Sequence, residues 1–144
     1  MLKGLSPLLT PELLKILSEM GHGDEIVLAD GNFPSEAIGK RVVRLDAHTG
    51  NDVLKAVMSV FPLDTYSDPN AMLMEVVPGD NVETPIWDEY SRIMNDSEGD
   101  KVRIGHIERF AFYDRAEKAY AVIATGETAL YANLILKKGV IVPN

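Results

Sequence analysis

The sequence predicts a layered α/β fold in which a central sheet is covered by helices on both faces. Two observations predict it. Short apolar runs without strict polar alternation, such as Ile26-Val27-Leu28-Ala29 and Ala71-Met72-Leu73-Met74, read as strands buried on both sides. These runs alternate with segments whose apolar residues recur at helical spacing. With 144 residues, the chain is near the usual size of one compact domain, so a single domain over 1–144 is expected.

The elements follow in order. In "TPELLKILSEMG", Thr10 suits an N-cap, Pro11 the first turn and Gly21 the position past the helix end, while Leu13, Ile16, Leu17 and Met20 share a face. "EIVLAD" and "RVVRLD" read as strands, and "NDVLKAVMSVF" as a helix burying Val53, Leu54, Val57, Met58 and Phe61. "AMLMEVV" is a third strand. A second Thr-Pro opening, Thr84-Pro85, begins a helix carrying Ile86, Tyr90, Ile93 and Met94 inward, and "NDSEGDK" at 95–101 reads as a polar turn. "VRIGHI" follows, then a helical "ERFAFYDRAEK", a strand "AYAVIAT", a turn "GET" and a last strand through "LYANLILKKG".

Composition narrows the function. A net charge of −8, from 22 acidic and 14 basic residues, argues against nucleic acid and anionic membranes as partners, because both repel such a surface. The absence of cysteine removes thiol nucleophiles, disulfides and cysteine metal sites, and fits a reducing compartment. The opening residues lack a secretion-signal pattern and no apolar run approaches the ~20 residues of a membrane span. A cytoplasmic protein is therefore expected. Phosphate loops, dinucleotide fingerprints, HExxH and GxSxG are all missing.

The remaining polar residues with chemical potential are few. His22, between Gly21 and Gly23, follows a helix C-terminus where the macrodipole favours imidazolium, and histidine is the side chain suited to donating or accepting a proton at neutral pH. Asp30 ends a strand, and the carboxyl ends of α/β strands face the ligand crevice, although a turn cap accounts for an aspartate there as well. A strand between them holds His22 and Asp30 about 17 to 25 Å apart, so one small ligand reaches both only if the Gly-His-Gly loop folds back or two subunits share a pocket. "ERFAFYDR" combines Arg109, Phe110, Phe112, Tyr113 and Arg115, which suits a sugar and equally suits core rings beside an Arg115 paired to Asp114 or Glu117. Tyr131 and Asn133 share a face if extended, with the small Ala132 between them.

Taken in order, "SPLLTPELLKILSEMGHGDEIVLADGNFP", "ERFAFYDRAEKAYAVIATGE" and "YANLILKKGV" closely resemble the L-fucose mutarotase family, whose relative D-ribose pyranase shares the GH-D, AD and YAN elements. Arg109 stands where the ribose branch places a histidine. The resemblance implies a three-layer RbsD-like fold with a mixed sheet, and an isomerase that interconverts the α and β anomers of L-fucose without cofactor or metal in a ring-shaped homodecamer. By position, His22 matches the proton donor. Asp30, Arg109 and Tyr131-Ala132-Asn133 match the sugar-binding positions, with Ala132 contributing through its backbone, and Tyr113 takes a substrate-facing role. The chemistry agrees: mutarotation needs one acid for the ring oxygen and one base for the anomeric hydroxyl, with Asp30, Tyr113 or water as that base. Three alternatives differ in what they do to sugars. A ribose pyranase would exchange ribose ring forms, a non-catalytic module would bind without accelerating exchange, and a purely structural ring would bind nothing.

Overall fold

A computed structural model describes residues 1–144, and its frame is a six-stranded mixed sheet. The elements are α1 (Pro11–Glu19), β1 (Glu25–Ala29), α2 (Ser35–Ile38), β2 (Val42–Leu45), α3 (Gly50–Met58), β3 (Ala71–Met74), α4 (Pro85–Glu98), a 3-10 turn (Gly99–Lys101), β4 (Ile104–Ile107), α5 (Arg109–Lys118), β5 (Ala121–Thr125) and β6 (Leu134–Lys137). The strand order is β2-β5-β1-β6-β3-β4. β2, β5 and β1 run parallel, β3 and β4 run parallel, and β6 lies antiparallel between β1 and β3.

Successive side chains of a strand point to opposite faces, so β1 sorts its residues into two cores. Ile26 and Leu28 join Leu13, Val53, Leu54, Tyr90 and Met94 on the face covered by α1, α3 and α4. Val27 and Ala29 join Phe112, Ala116 and Phe33 on the face covered by α5. The resulting three layers match the expected fold class. Phe112 is thus core, whereas its neighbour Phe110 is exposed.

Local signals account for most element boundaries. Thr10 accepts from the Leu13 N–H at 3.2 Å, and Thr49 caps α3 by accepting from the Asp52 N–H at 3.2 Å. Thr84 caps nothing, because its φ and ψ of −126° and 61° turn its hydroxyl away from cap geometry. The 95–101 segment is not one turn: α4 continues to Glu98, its polar side chains on the solvent side, and ends where Gly99 adopts a φ of 60°. α1 stops at Glu19 with Met20 in the C-cap, and Gly21 follows in the position past the helix end. The glycine required for its conformation is Gly23, with φ 88°. The cation at the α1 C-terminus is Lys138, whose ammonium donates to the carbonyls of Leu17 at 2.7 Å and Met20 at 2.6 Å.

Candidate functional site

Most of the sequence-predicted residues converge at the carboxyl edge of the sheet. β1 ends at Ala29 and delivers Asp30; β3 ends at Met74; β4 runs into α5, which opens on Arg109; and the segment 131–133 leads into β6. Asp30, Asn32, Phe33, Met74, Val77, Asp80, Arg109, Tyr113, Leu130, Tyr131 and Asn133 line one cavity of about 440 Å³. The antiparallel β6 between β1 and β3 makes this a place where the sheet changes direction, where α/β proteins open a crevice.

The walls of the cavity are held by specific bonds. Asp30 is 6% exposed, its Oδ1 accepts from the Asn32 N–H at 3.0 Å, and its own N–H donates to Asn133 Oδ1 at 2.8 Å. Burial raises the Asp30 carboxyl above the usual carboxylate range, against backbone N–H bonds from Asn32, Ala132 and Phe33 that favour the charge. Glu108 caps α5 by accepting from the Ala111 N–H at 3.0 Å, which sets the helix start that aims Arg109. One turn further along, Tyr113 accepts from Arg109 Nε at 3.4 Å and packs on Phe33 with ring centres 5.7 Å apart.

Residues 131–133 form a strap rather than a strand. Tyr131 has a φ of 56°, so the shared-face argument from extended geometry does not apply; Tyr131 and Asn133 reach the same cavity across a left-handed bend. α4 backs the strap, with Trp87 Nε1–H donating to the Tyr131 carbonyl at 2.8 Å and the Tyr90 hydroxyl donating to the Ala132 carbonyl at 3.0 Å. Ala132 is fully buried beneath and meets the site only through its backbone. The Tyr131 hydroxyl donates to Asp80 Oδ2 and accepts from the Val77 N–H at 3.2 Å.

His22 stands elsewhere. It precedes β1, at the opposite edge from Asp30, beside a second cavity of about 470 Å³ whose walls include Leu17, Met20, Pro62, Lys138 and Ile141. Its helix-terminus role falls to Lys138, as above. Its partner is instead Asp64, whose Oδ1 lies 2.9 Å from His22 Nε2. Burial pushes the Asp64 carboxyl up, but bonds from the Ser67 hydroxyl, His22 and the Tyr66 N–H outweigh it and bring the pKa down to about 2. An ionised carboxylate only accepts, so Nε2 carries the hydrogen and Nδ1 is left to exchange a proton with a ligand. Arg115, finally, pairs with neither Asp114 nor Glu117: its guanidinium forks onto Glu25, with nitrogen to oxygen distances of 2.8 and 2.7 Å, because α5 lies across the start of β1.

Asp64 and Asp80 are absent from the sequence reading. Asp64 lies 42 residues from His22, and no local pattern in "PLDTYSD" marks it. Asp80 sits in a Pro-Gly-Asp turn that reads as an ordinary loop.

A crevice at a sheet edge, lined by two carboxylates, a guanidinium, two phenols and two amides, has the donors and acceptors to hold a small polyhydroxylated ligand and exchange protons with it. Residues 3–141 match the RbsD / FucU transport protein family, and the chain belongs to it. Among its relatives, a fucose mutarotase of Danio rerio is 52% identical over 99% of this chain and 95% of its own length. The crystal structure of the fucose mutarotase from Streptococcus pneumoniae in complex with L-fucose superposes with a TM-score of 0.93 at 45% identity, covering 98% of this chain and 100% of that one. Bacillus subtilis RbsD complexed with D-ribose gives a TM-score of 0.72 at 25% identity, covering 99% and 100%.

Proposed function

We propose that this chain is an L-fucose mutarotase, an isomerase that interconverts the α and β anomers by opening and reclosing the sugar ring. The observation that carries the reading is the full-length likeness to fucose mutarotases, including the one solved with L-fucose. Ribose is the weaker substrate reading, since the ribose-bound relative is the more distant in both sequence and structure.

In this mechanism His22 delivers a proton from Nδ1 to the ring oxygen, and Asp64 supports the imidazolium through Nε2. Arg109 and Asn133 hold sugar hydroxyls, Ala132 fixes the strap between Tyr131 and Asn133, and Tyr113 orients the ring. Asp30 is the better acceptor for the anomeric proton of the two side chains considered from sequence. Burial holds its carboxyl above the usual carboxylate range and makes it more basic than an exposed carboxylate, whereas Tyr113 keeps its phenolic hydrogen, with no carboxylate bonded to take it. When the C1–O5 bond breaks, the aldehyde rotates about C1–C2 and closure on the other face gives the second anomer.

His22 and the Asp30 cavity lie at opposite ends of β1, about 17 Å of extended chain apart, which supports a site assembled from two subunits of a homo-oligomer. The assembly in this reading is the ring-shaped decamer, in the cytoplasm. Proton NMR saturation transfer between the anomeric signals of L-fucose tests the activity, and His22→Ala is expected to slow enzymatic exchange ~100- to 10,000-fold. Exchange at the spontaneous rate with wild-type protein overturns the reading, and acceleration of ribose ring exchange alone replaces it with a pyranase. Refolding His22→Ala together with Arg109→Ala tests the shared site: mixed oligomers regain activity if each pocket draws on two subunits, and stay inactive if it does not.

A further inference from the structure

The mutarotase reading supplies a proton acceptor in Asp30 but leaves a demand unmet. The anomeric hydroxyl of a bound sugar points to different faces of the ring in the two anomers, so a single fixed base reaches it well in only one of them. By microscopic reversibility, a full exchange needs an acceptor in one arrangement and a donor in the other.

The bonding of Tyr131 meets that demand. A phenolic oxygen has one hydrogen to donate and two lone pairs to accept with. The Tyr131 hydrogen is given to Asp80 Oδ2, and one lone pair accepts from the Val77 N–H at 3.2 Å. The second lone pair is left for the cavity that Tyr131 and Asp80 both line. Tyr131 therefore meets a sugar hydroxyl as an acceptor, with its own proton already directed to an exposed carboxylate. The charged and titratable groups facing this pair are Arg109 and Tyr113 from α5 and Asp30 from the end of β1.

We propose that Asp80 is a positioning residue for the proposed reaction, and that Tyr131 and Asp80 form a two-step relay that takes the anomeric proton from the sugar and returns it on closure. This rests on the mutarotase reading. On opening, the hydrogen of the anomeric hydroxyl moves to Tyr131 Oη as the phenolic hydrogen moves to Asp80 Oδ2. The anomeric oxygen becomes the carbonyl oxygen, and the electron pair of the broken C1–O5 bond goes to O5, which takes the proton from His22. Opening and closing of the anomer within reach of Tyr131 run these transfers in either direction; for the other anomer Asp30 exchanges the anomeric hydrogen while O5 again exchanges its proton with His22, and the proton left on one carboxylate passes to the other through solvent.

The test is Asp80→Asn, which keeps the size and a hydrogen-bonding oxygen but is a far poorer proton acceptor than a carboxylate. Asp80→Glu is the conservative control, and both are compared with Tyr131→Phe and the Asp80→Asn/Tyr131→Phe double variant. By saturation transfer, Asp80→Asn is expected to lower kcat ~10- to 100-fold with KM for L-fucose changed less than about threefold. Asp80→Glu recovers part of the rate. The double variant is no slower than Tyr131→Phe alone, because residues acting as one unit are not additive. In the pH profile of kcat, the acid-side fall in rate that reports protonation of the acceptor moves or disappears in Asp80→Asn. A wild-type kcat in Asp80→Asn, losses that multiply in the double variant, or a change confined to KM overturns the relay.

Carbon-13 NMR titration of the Tyr131 ring needs no turnover and separates this proposal from the mutarotase reading. The Tyr131 phenol is expected to titrate at lower pH in Asp80→Asn than in wild type; an unchanged titration overturns the coupling even where fucose exchange is catalysed. If wild-type protein accelerates no exchange, the mutarotase reading fails and the catalytic role of the relay fails with it. The ring titration then reports only whether Tyr131 and Asp80 are coupled.

Discussion

Tyr90→Phe isolates the contribution of one hydroxyl to the floor of the site. Tyr90 is fully buried, and its hydroxyl donates to the Ala132 carbonyl at 3.0 Å, in the middle of the strap that carries Tyr131 and Asn133. Removing the donor leaves a buried carbonyl without that partner, which costs about 1–3 kcal/mol. The vacated space, on the order of 10 Å³, adds only ~0.2 kcal/mol at about 24 cal/mol per Å³. Little relaxation offsets these terms, because the Gly50 backbone of α3 packs so closely that a Cβ there would fall 2.1 Å from the Tyr90 oxygen. Urea unfolding at fixed protein concentration, followed by the fluorescence of Trp87, the single tryptophan, measures the loss. With the strap loosened, kcat/KM for L-fucose is expected to fall ~10-fold, as small misplacements of positioning groups do. A stability change below about 0.5 kcal/mol with an unaltered urea slope refutes the account of the Ala132 carbonyl.

Two further outcomes bear on the frame around the site. Asp64 has its carboxyl lowered from 3.8 to about 2, so it stabilises the fold at pH above the ordinary carboxylate value and loses that contribution as the pH falls toward the lowered one. In Asp64→Asn, urea midpoints are expected to drop near neutral pH and to decline less steeply on acidification over that interval; a slope equal to wild type counts against the His22–Asp64–Ser67 cluster as its source. Gly126→Ala would place a Cβ 2.0 Å from the Asp46 carbonyl oxygen, in a turn whose N–H donates to the His48 carbonyl at 2.9 Å, and is expected to destabilise by ~3 kcal/mol. An unchanged melting temperature in calorimetry refutes that packing.

The strands were legible in the sequence because β1, β3 and β5 are buried on both faces and leave continuous apolar runs. Strand order was not, since pairing β6 antiparallel between β1 and β3 depends on long-range packing that no local window contains. α2 went unread because four residues are too few to display a helical period. In the cavity, Asp30 was legible as the residue that follows a strand, where side chains meet a crevice, and Arg109 as a guanidinium set among aromatic residues. Tyr131 was found with its backbone misjudged, because an extended segment and a left-handed bend can carry the same Tyr-Ala-Asn. Asp64 and Asp80 were invisible for a different reason: their meaning lies in partners 42 and 51 residues away.

The strap at 131–133 has a bearing on how such a pocket is able to change its ligand. Its first two carbonyls are tied from behind by Trp87 and Tyr90, neither of which lines the cavity, so the path of the backbone does not depend on what the strap displays in front. Under the proposed function, a family built this way is free to retune the side chains in front, one at a time, while the backbone that presents them stays where it is.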